Sequence, residues 1–211
     1  HIGSQIIDID PFKQVLKIIN KIIAKTKMNF NFIDLGGGIG ISYSDNGKKF
    51  NLNKYAKLVN KFTKDKNTKI IFEPGRFVVG NTSILISKVI YIKKGNNKKF
   101  IILDAGMNNL MRPALYGANH KIISLKKNNK KFSKNIEFVG PVCESSDTFL
   151  KQKNFSKIKV GDCVAITDVG AYGMSLASNY NARPLIAEVM ISGSKHKLIR
   201  KRQSLENLIS N

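Results

Sequence analysis

The sequence predicts an α/β segment over residues 1–80 followed by a mostly β segment over 81–211. Three observations carry this. Up to about residue 75, apolar residues with helical spacing separate short apolar runs. After about Val79 the apolar runs have strand length, with turn signals between them. And 211 residues with 42% hydrophobic and 24% charged side chains can bury a core, which excludes wholesale disorder.

The elements follow in order. Asp10-Pro11 looks like an N-cap followed by proline at the first helical position. Phe12, Val15, Leu16, Ile19, Ile22 and Ile23 then mark one helix face to about Lys25. Residues 30–35 form a short apolar run ending in three glycines, the pattern of a buried strand. Leu52, Tyr55, Ala56, Val59 and Phe62 make a second helical stripe, and residues 69–73 another strand, stopped by Pro74-Gly75. Three strands are too few for a closed parallel barrel, so the α/β part is a small open sheet or the back end of something larger. Strands are expected over 84–92, 100–104, 121–125, 136–139, 163–167 and 186–192, the first two joined at Gly95-Asn96-Asn97. Residues 174–180 are expected as one short helix.

The formal charge is +22, from 31 Lys and 5 Arg against 14 acids. Nucleic-acid recognition favours the bidentate fork of Arg, and here the charge is almost all Lys, scattered over every segment. Lys, Asn and Ile make up 81 of the residues; all three have A/T-rich codons, which accounts for the basicity without a nucleic-acid partner. No apolar run reaches 18 residues, and neither a membrane span nor a secretory leader is expected. Cys143 and Cys163 lack any CxxC or Cys/His spacing, which argues against a disulfide scaffold or a metal site and for a reducing cytoplasm.

Several segments have the composition of a reactive site. In Asp34-Leu35-Gly36-Gly37-Gly38 the glycines allow backbone N–H groups to converge on an anion; a plain tight turn would look the same. Glu73-Pro74-Gly75-Arg76 ends a strand, where such sheets place catalytic groups, although the acid and base could form only a local ion pair. Arg112 and Tyr116 lie four residues apart in an expected loop, as a carboxylate-binding pair or a surface turn. Cys143 sits in a Gly/Pro/Ser turn beside Glu144 and Asp147, acids that favour a protonated thiol suited to giving a proton. Cys163 fits an inert strand residue. Tyr172, between glycines, faces whatever approaches its loop, and His120 and His196 are expected at the surface.

Taken together and in this order, the segments HIGSQI, DLGGGIGISY, FEPGRFVVG, LDAGMNNLMRPALYGANH, GPVCESSD and GAYGMSLASNYNARP closely resemble the diaminopimelate decarboxylase family, pyridoxal-phosphate-dependent enzymes of the alanine-racemase-like fold type. The likeness extends into the tail, where IRKRQSLENLI is similar to the family's closing strand and helix, and covers about the second half of the family protein. It implies the last strands of a cofactor-binding (β/α)8 barrel over 1–80 and a C-terminal β-barrel or β-sandwich domain over 81–211.

The resemblance also implies roles. Glu73 would face the ring nitrogen of pyridoxal 5'-phosphate, which must stay protonated to absorb a carbanion. Gly36, Gly37 and Gly38 would hold the phosphate and His1 would stack on the ring; Ser4, Pro74, Gly75, Arg76 and Tyr172 complete the cofactor contacts. Arg76, Arg112 and Tyr116 would grip the carboxylates of meso-diaminopimelate, Glu144 its distal ammonium, and Tyr172 would touch substrate as well as cofactor. Cys143 would be the catalytic acid. In the family, Cys143 and Glu144 serve the partner's site, which implies a homodimer. The family's cofactor lysine precedes the HIGSQ segment, and none of the 31 lysines matches its context, so the resemblance implies a C-terminal portion inactive by itself. Ser146 stands where the family usually has Gly, and Asn119 where an aromatic is common. The same fold would also suit a decarboxylase of ornithine or arginine, and a different class of function would be a non-catalytic dimerisation module. Arg112 and Glu144, matched to a second amino-acid head, favour diaminopimelate.

Overall fold

Pro11 opens the first helix: at the first turn its missing N–H would have had no partner, and its fixed φ is already helical. Helix α1 runs over Asp10–Thr26 and buries Phe12 and Leu16. Its cap is Ile9, which offers no side-chain acceptor; Asp10 is therefore the first helical residue rather than the expected cap, and its carboxylate pairs with Lys13 at 2.7 Å. The computed structural model describes residues 1–126 and 131–210; residues 127–130 and 211, all in the expected second domain, lie outside the described residues. The chain divides into two units, His1–Thr82 and Ser83–Asn211.

In the first unit, strand β1 (Phe32–Asp34) pairs in parallel with β2 (Lys69–Ile71), and α2 (Leu52–Thr63) makes the crossover. Upstream, Ile6 forms a parallel bridge with Ile39, so three successive parallel segments are separated by α1 and α2. This is the strand–helix alternation of a (β/α) barrel's closing portion. The side chain of Asn51 caps α2 by accepting from the Lys54 N–H at 2.9 Å. Phe12, Phe50 and Tyr55 pack edge to face or tilted at the centre of a core that includes Leu16, Val59 and Phe62. Alternate strand residues face opposite ways. Ile33 and Ile70 pack against this core, while Phe32, Asp34, Lys69 and Ile71 are exposed. A single turn, α3 (Arg76–Val79), follows Pro74-Gly75.

The second unit is built on one mixed sheet. Its strands are β3 (Leu85–Lys94), β4 (Lys98–Leu103), β5 (Ile122–Ser124), β6 (Lys131–Val139), β7 (Thr148–Ser156) and β8 (Cys163–Ile166), ordered β5-β8-β3-β4-β6-β7. Among the described residues of this sheet only the β4–β6 pair is parallel. The expected hairpin forms, closed by the Gly95 N–H donating to the Lys98 carbonyl at 2.9 Å. β3 pairs with β8 through Leu85–Lys88 and with β4 from Val89 onward, with a bulge between Val89 and Tyr91. A bulge bends its strand, and here it curls the sheet at the handover. Val89, Ile101, Leu103, Ile136, Phe138, Val164 and Ile166 form the solvent-free centre. Sequence periodicity passed over β7 altogether and began β6 five residues late.

Helix α4 (Arg112–Tyr116) stands where a loop was expected. The expected helix over 174–180 is two separate 3-10 turns, Met174–Leu176 and Tyr180–Ala182, because Ala177 is extended at φ −65° and ψ 145° and interrupts the helix between them. A hairpin of β9 (Glu188–Ser192) and β10 (Lys195–Arg200), then α5 (Leu205–Ile209), ends the unit.

Candidate functional site

Each unit carries its own set of the expected contact residues. In the first, the glycine turn leaves β1 with the Gly36 N–H donating to the Asp34 Oδ1 at 2.7 Å. Gly36 and Gly38 take φ +67° and +86°, conformations that glycine adopts at less steric cost than other residues. A Cβ at Gly37 would stand 2.1 Å from the Glu73 carbonyl oxygen, and one at Gly38 2.4 Å from that of Gly3. The turn is thus wedged between the HIGS segment and the Glu73 backbone, whose N–H donates to the Gly36 carbonyl at 3.0 Å. The virtual Cβ of Gly36 lies 3.8 Å from His1 Cα and 4.0 Å from a Glu73 carboxylate oxygen. His1, Gly36, Gly37, Gly38 and Glu73 therefore share one small region.

Arg76 joins them. Its Nη1 donates to the Tyr43 hydroxyl at 2.6 Å and its Nη2 to Ser4 Oγ at 3.1 Å. Ser4 was expected here; Tyr43 was not, although it closes the GISY end of the glycine segment. A groove of about 530 Å³ in this unit, lined by Asp8, Lys13, Lys48 and Lys54 among others, contains none of these residues.

In the second unit, Arg112 and Tyr116 sit one helical turn apart on α4, with Tyr116 exposed and Arg112 buried. The surface-turn reading of Arg112 is therefore wrong. His120 is also buried, contrary to its expected place at the surface: its ring meets Arg112 on one side and the Thr167 carbonyl on the other. Cys143 and Glu144 lie in the exposed loop between β6 and β7. Asp147 shapes that loop from beneath. Its Oδ2 accepts from the Val142 N–H at 2.8 Å and its Oδ1 from the Met107 N–H at 2.7 Å. Burial pushes the Asp147 carboxyl above the usual carboxylate range, against the pull of those two N–H groups and of Arg183.

Two further contacts tie this loop into the unit. The Tyr180 hydroxyl donates to Glu144 Oε2 at 3.1 Å, and this bond raises the phenol above its ordinary value. Asn108, one residue past Met107, is bound by Ser178 and by Arg183 Nε at 3.0 Å. The loop entering α4, the Cys143-Glu144 loop and the Ser178–Tyr180 turn thus form one network. Tyr180 is not among the residues that local sequence marks: neither its spacing nor its neighbours point to Glu144, 36 residues away. Tyr172 is half-exposed with φ +59°, an unusual conformation for a bulky residue. Cys143 and Cys163 are free thiols.

These observations define a class: a glycine turn and an acid at the ends of parallel strands, followed by a curled sheet with an exposed thiol–acid loop. The family model for the pyridoxal-dependent decarboxylase, C-terminal sheet domain, matches residues 15–170. The chain belongs to the family of pyridoxal-dependent decarboxylases. Among its relatives, the diaminopimelate decarboxylase of Zymomonas mobilis is 45% identical over 99% of this chain and 50% of its own length. Diaminopimelate decarboxylase from Helicobacter pylori, solved with L-lysine, superposes with a TM-score of 0.87 at 43% identity, covering 99% of this chain and 52% of that one. The enzyme from M. jannaschii, also with L-lysine, gives 0.90 at 38% identity, covering 100% and 50%. The chain spans about half the length of the curated relatives it matches.

The family's cofactor fits the residues present. Pyridoxal phosphate brings a phosphate and a ring nitrogen. Among the described residues, no acceptor meets the N–H of Gly37 or Gly38, and Glu73 supplies an anionic acceptor beside them. The Gly36 N–H is already committed to Asp34.

Among the described residues no helix is long and apolar enough to cross a membrane.

Proposed function

We propose that this chain is the C-terminal portion of a diaminopimelate decarboxylase, releasing CO2 from meso-2,6-diaminopimelate to give L-lysine, the last step of lysine biosynthesis. The observation that carries the reading is the network in the second unit: an exposed thiol and carboxylate, Cys143 and Glu144, are tied to the loop that leads into the Arg112 helix. A substrate with two amino-acid heads requires a guanidinium and an acid beyond those for the reacting head, and these are the groups on offer.

Pyridoxal phosphate, when bound, supplies a protonated ring that absorbs the electron pair left by departing CO2. Glu73 accepts the ring N–H and keeps that nitrogen protonated, while His1 stacks on the ring. The N–H groups of Gly37 and Gly38, with Ser4, hold the phosphate in the turn formed by Gly36; Pro74, Gly75 and Tyr172 are further cofactor contacts. Arg76, braced by Tyr43, holds the reacting head. Arg112 and Tyr116 bind the distal carboxylate and Glu144 the distal ammonium, with Tyr172 against the substrate. Cys143 gives its Sγ proton to the carbon that lost CO2. Residues 1–80 act as the closing part of the cofactor barrel and 81–211 as the β domain. The enzyme works as a cytoplasmic homodimer in which Cys143 and Glu144 serve the partner's cofactor, and the cofactor lysine is supplied from outside this sequence.

The test is the full-length protein assayed against diaminopimelate, ornithine and arginine. Release of CO2 from diaminopimelate is expected to dominate. Preference for a substrate without the distal carboxylate refutes the reading.

A further inference from the structure

Arg112 and His120 are 5% and 1% exposed, yet nothing in the roles above uses the histidine. Arg112 Nη1 lies 2.8 Å from His120 Nε2, and His120 Nδ1 lies 2.9 Å from the Thr167 carbonyl oxygen. A guanidinium can only donate and a carbonyl can only accept. One form of the ring satisfies both neighbours: neutral, with its proton on Nδ1 and the Nε2 lone pair turned to Arg112.

We propose that His120 is a positioning residue: a neutral imidazole, anchored through Nδ1–H to the Thr167 carbonyl, accepts a hydrogen bond from Arg112 and fixes the plane in which the guanidinium grips the substrate's distal carboxylate. The inference rests on the reading of Arg112 given above. Its logic is electrostatic as well as geometric. A carboxylate in this place would also orient Arg112, but it would neutralise the charge that has to attract the substrate. A neutral acceptor orients the fork and leaves its charge for the ligand. The anchor is stiff, because Thr167 directly follows β8, whose Val164, Ala165 and Ile166 are closed to solvent. Arg112, by contrast, sits at the first position of a five-residue helix, on a long stem with several rotatable bonds.

Two amides separate the halves of this arrangement. In the full-length protein loaded with cofactor, His120→Gln places an amide oxygen near the Nε2 position and keeps the Arg112 contact. His120→Asn reaches only the Nδ1 position and keeps only the Thr167 contact. The expected result is a KM for diaminopimelate within about threefold of wild type for His120→Gln. For His120→Asn the rise is about tenfold or more, the scale of one lost hydrogen bond to a charged group, with kcat little changed. In an Arg112→Lys background, His120→Asn should add less than about threefold, because the two act as one unit. Equal factors in both backgrounds, or the opposite order of Gln and Asn, overturn the proposal. If Arg112→Lys itself leaves KM unchanged, the substrate reading of Arg112 fails and the positioning role falls with it. If Arg112→Lys raises KM and neither His120 variant does, only the positioning role is refuted. Ring 15N spectra of the wild-type protein, assigned with His120→Gln, give a readout independent of substrate. They should show a neutral Nδ1–H tautomer, and a proton on Nε2 refutes the proposal.

Discussion

Replacing Asp147 by alanine removes a single buried carboxylate and strands two backbone donors at once. The Val142 N–H is buried, and leaving it without an acceptor costs about 1–3 kcal/mol. The Met107 N–H is only partly buried, so water replaces much of its bond and the loss is roughly 0.5–1.5 kcal/mol. Against this, burial disfavours the charged carboxylate, and its removal returns part of that penalty. The lower half of the summed range is therefore expected, roughly 1.5–3 kcal/mol. Because both bonds hold loop segments outside the sheet, one within the loop and one to a segment 40 residues away, the cost should appear as local opening rather than global unfolding. Hydrogen exchange in the full-length protein should accelerate by about tenfold or more in peptides spanning 106–109 and 140–148, with the β3–β4 pair unaffected. Alkylation of Cys143 should change in parallel. Unchanged protection in both segments would falsify the claim that Asp147 holds the Cys143-Glu144 loop.

Four further outcomes are expected. The Asp147 carboxyl is raised above its ordinary 3.8, so its contribution is full below that value and is lost as pH rises through the folded value. The stability of wild type relative to Asp147→Asn, read from urea midpoints, should thus grow as pH falls through the window just above 3.8; a shrinking difference contradicts it. Gly37→Ala must part the chain from the Glu73 carbonyl and should cost roughly 1–3 kcal/mol and weaken pyridoxal phosphate binding. Gly75→Ala meets nothing within 4 Å and should stay within about 0.5 kcal/mol by calorimetry. The Tyr180 phenol, raised by its bond to Glu144, should titrate closer to its ordinary value in Glu144→Gln; an unchanged phenolate absorbance curve rules the contact out.

What the sequence made legible is what local chemistry decides. α1 and α2 announce themselves by one-sided apolar spacing, and β1 and β2 by short apolar runs that end in glycine or proline. β7 was hidden because its apolar residues cluster near its ends, Phe149, Leu150 and Phe155, while Lys151, Gln152, Lys153 and Asn154 fill the middle. β10 is exposed at all six positions and survives by pairing with β9. The site divides in the same way. Gly37 and Glu73 stand in marked segments, but the bonds from Arg76 to Ser4 and Tyr43 span 72 and 33 residues. His120 looked like a surface residue because Asn119 and Lys121 flank it. Its burial is decided by Thr167, 47 residues further on, which no local pattern encodes.

The position of β8 between β3 and β5 sets an order on assembly. Leu85–Lys88 and Ile122–Ser124 both wait for Cys163–Ile166 to fill the gap between them, so half the sheet stays open until residues past 166 have left the ribosome. β3–β4 can zip early as a hairpin, whereas the other half depends on contacts of long sequence separation, which close slowly. During that interval the apolar edges of β3 and β5 are exposed to aggregation or chaperone capture. The Cys143-Glu144 loop precedes β8 in the chain, and so it emerges before the strand that completes its sheet.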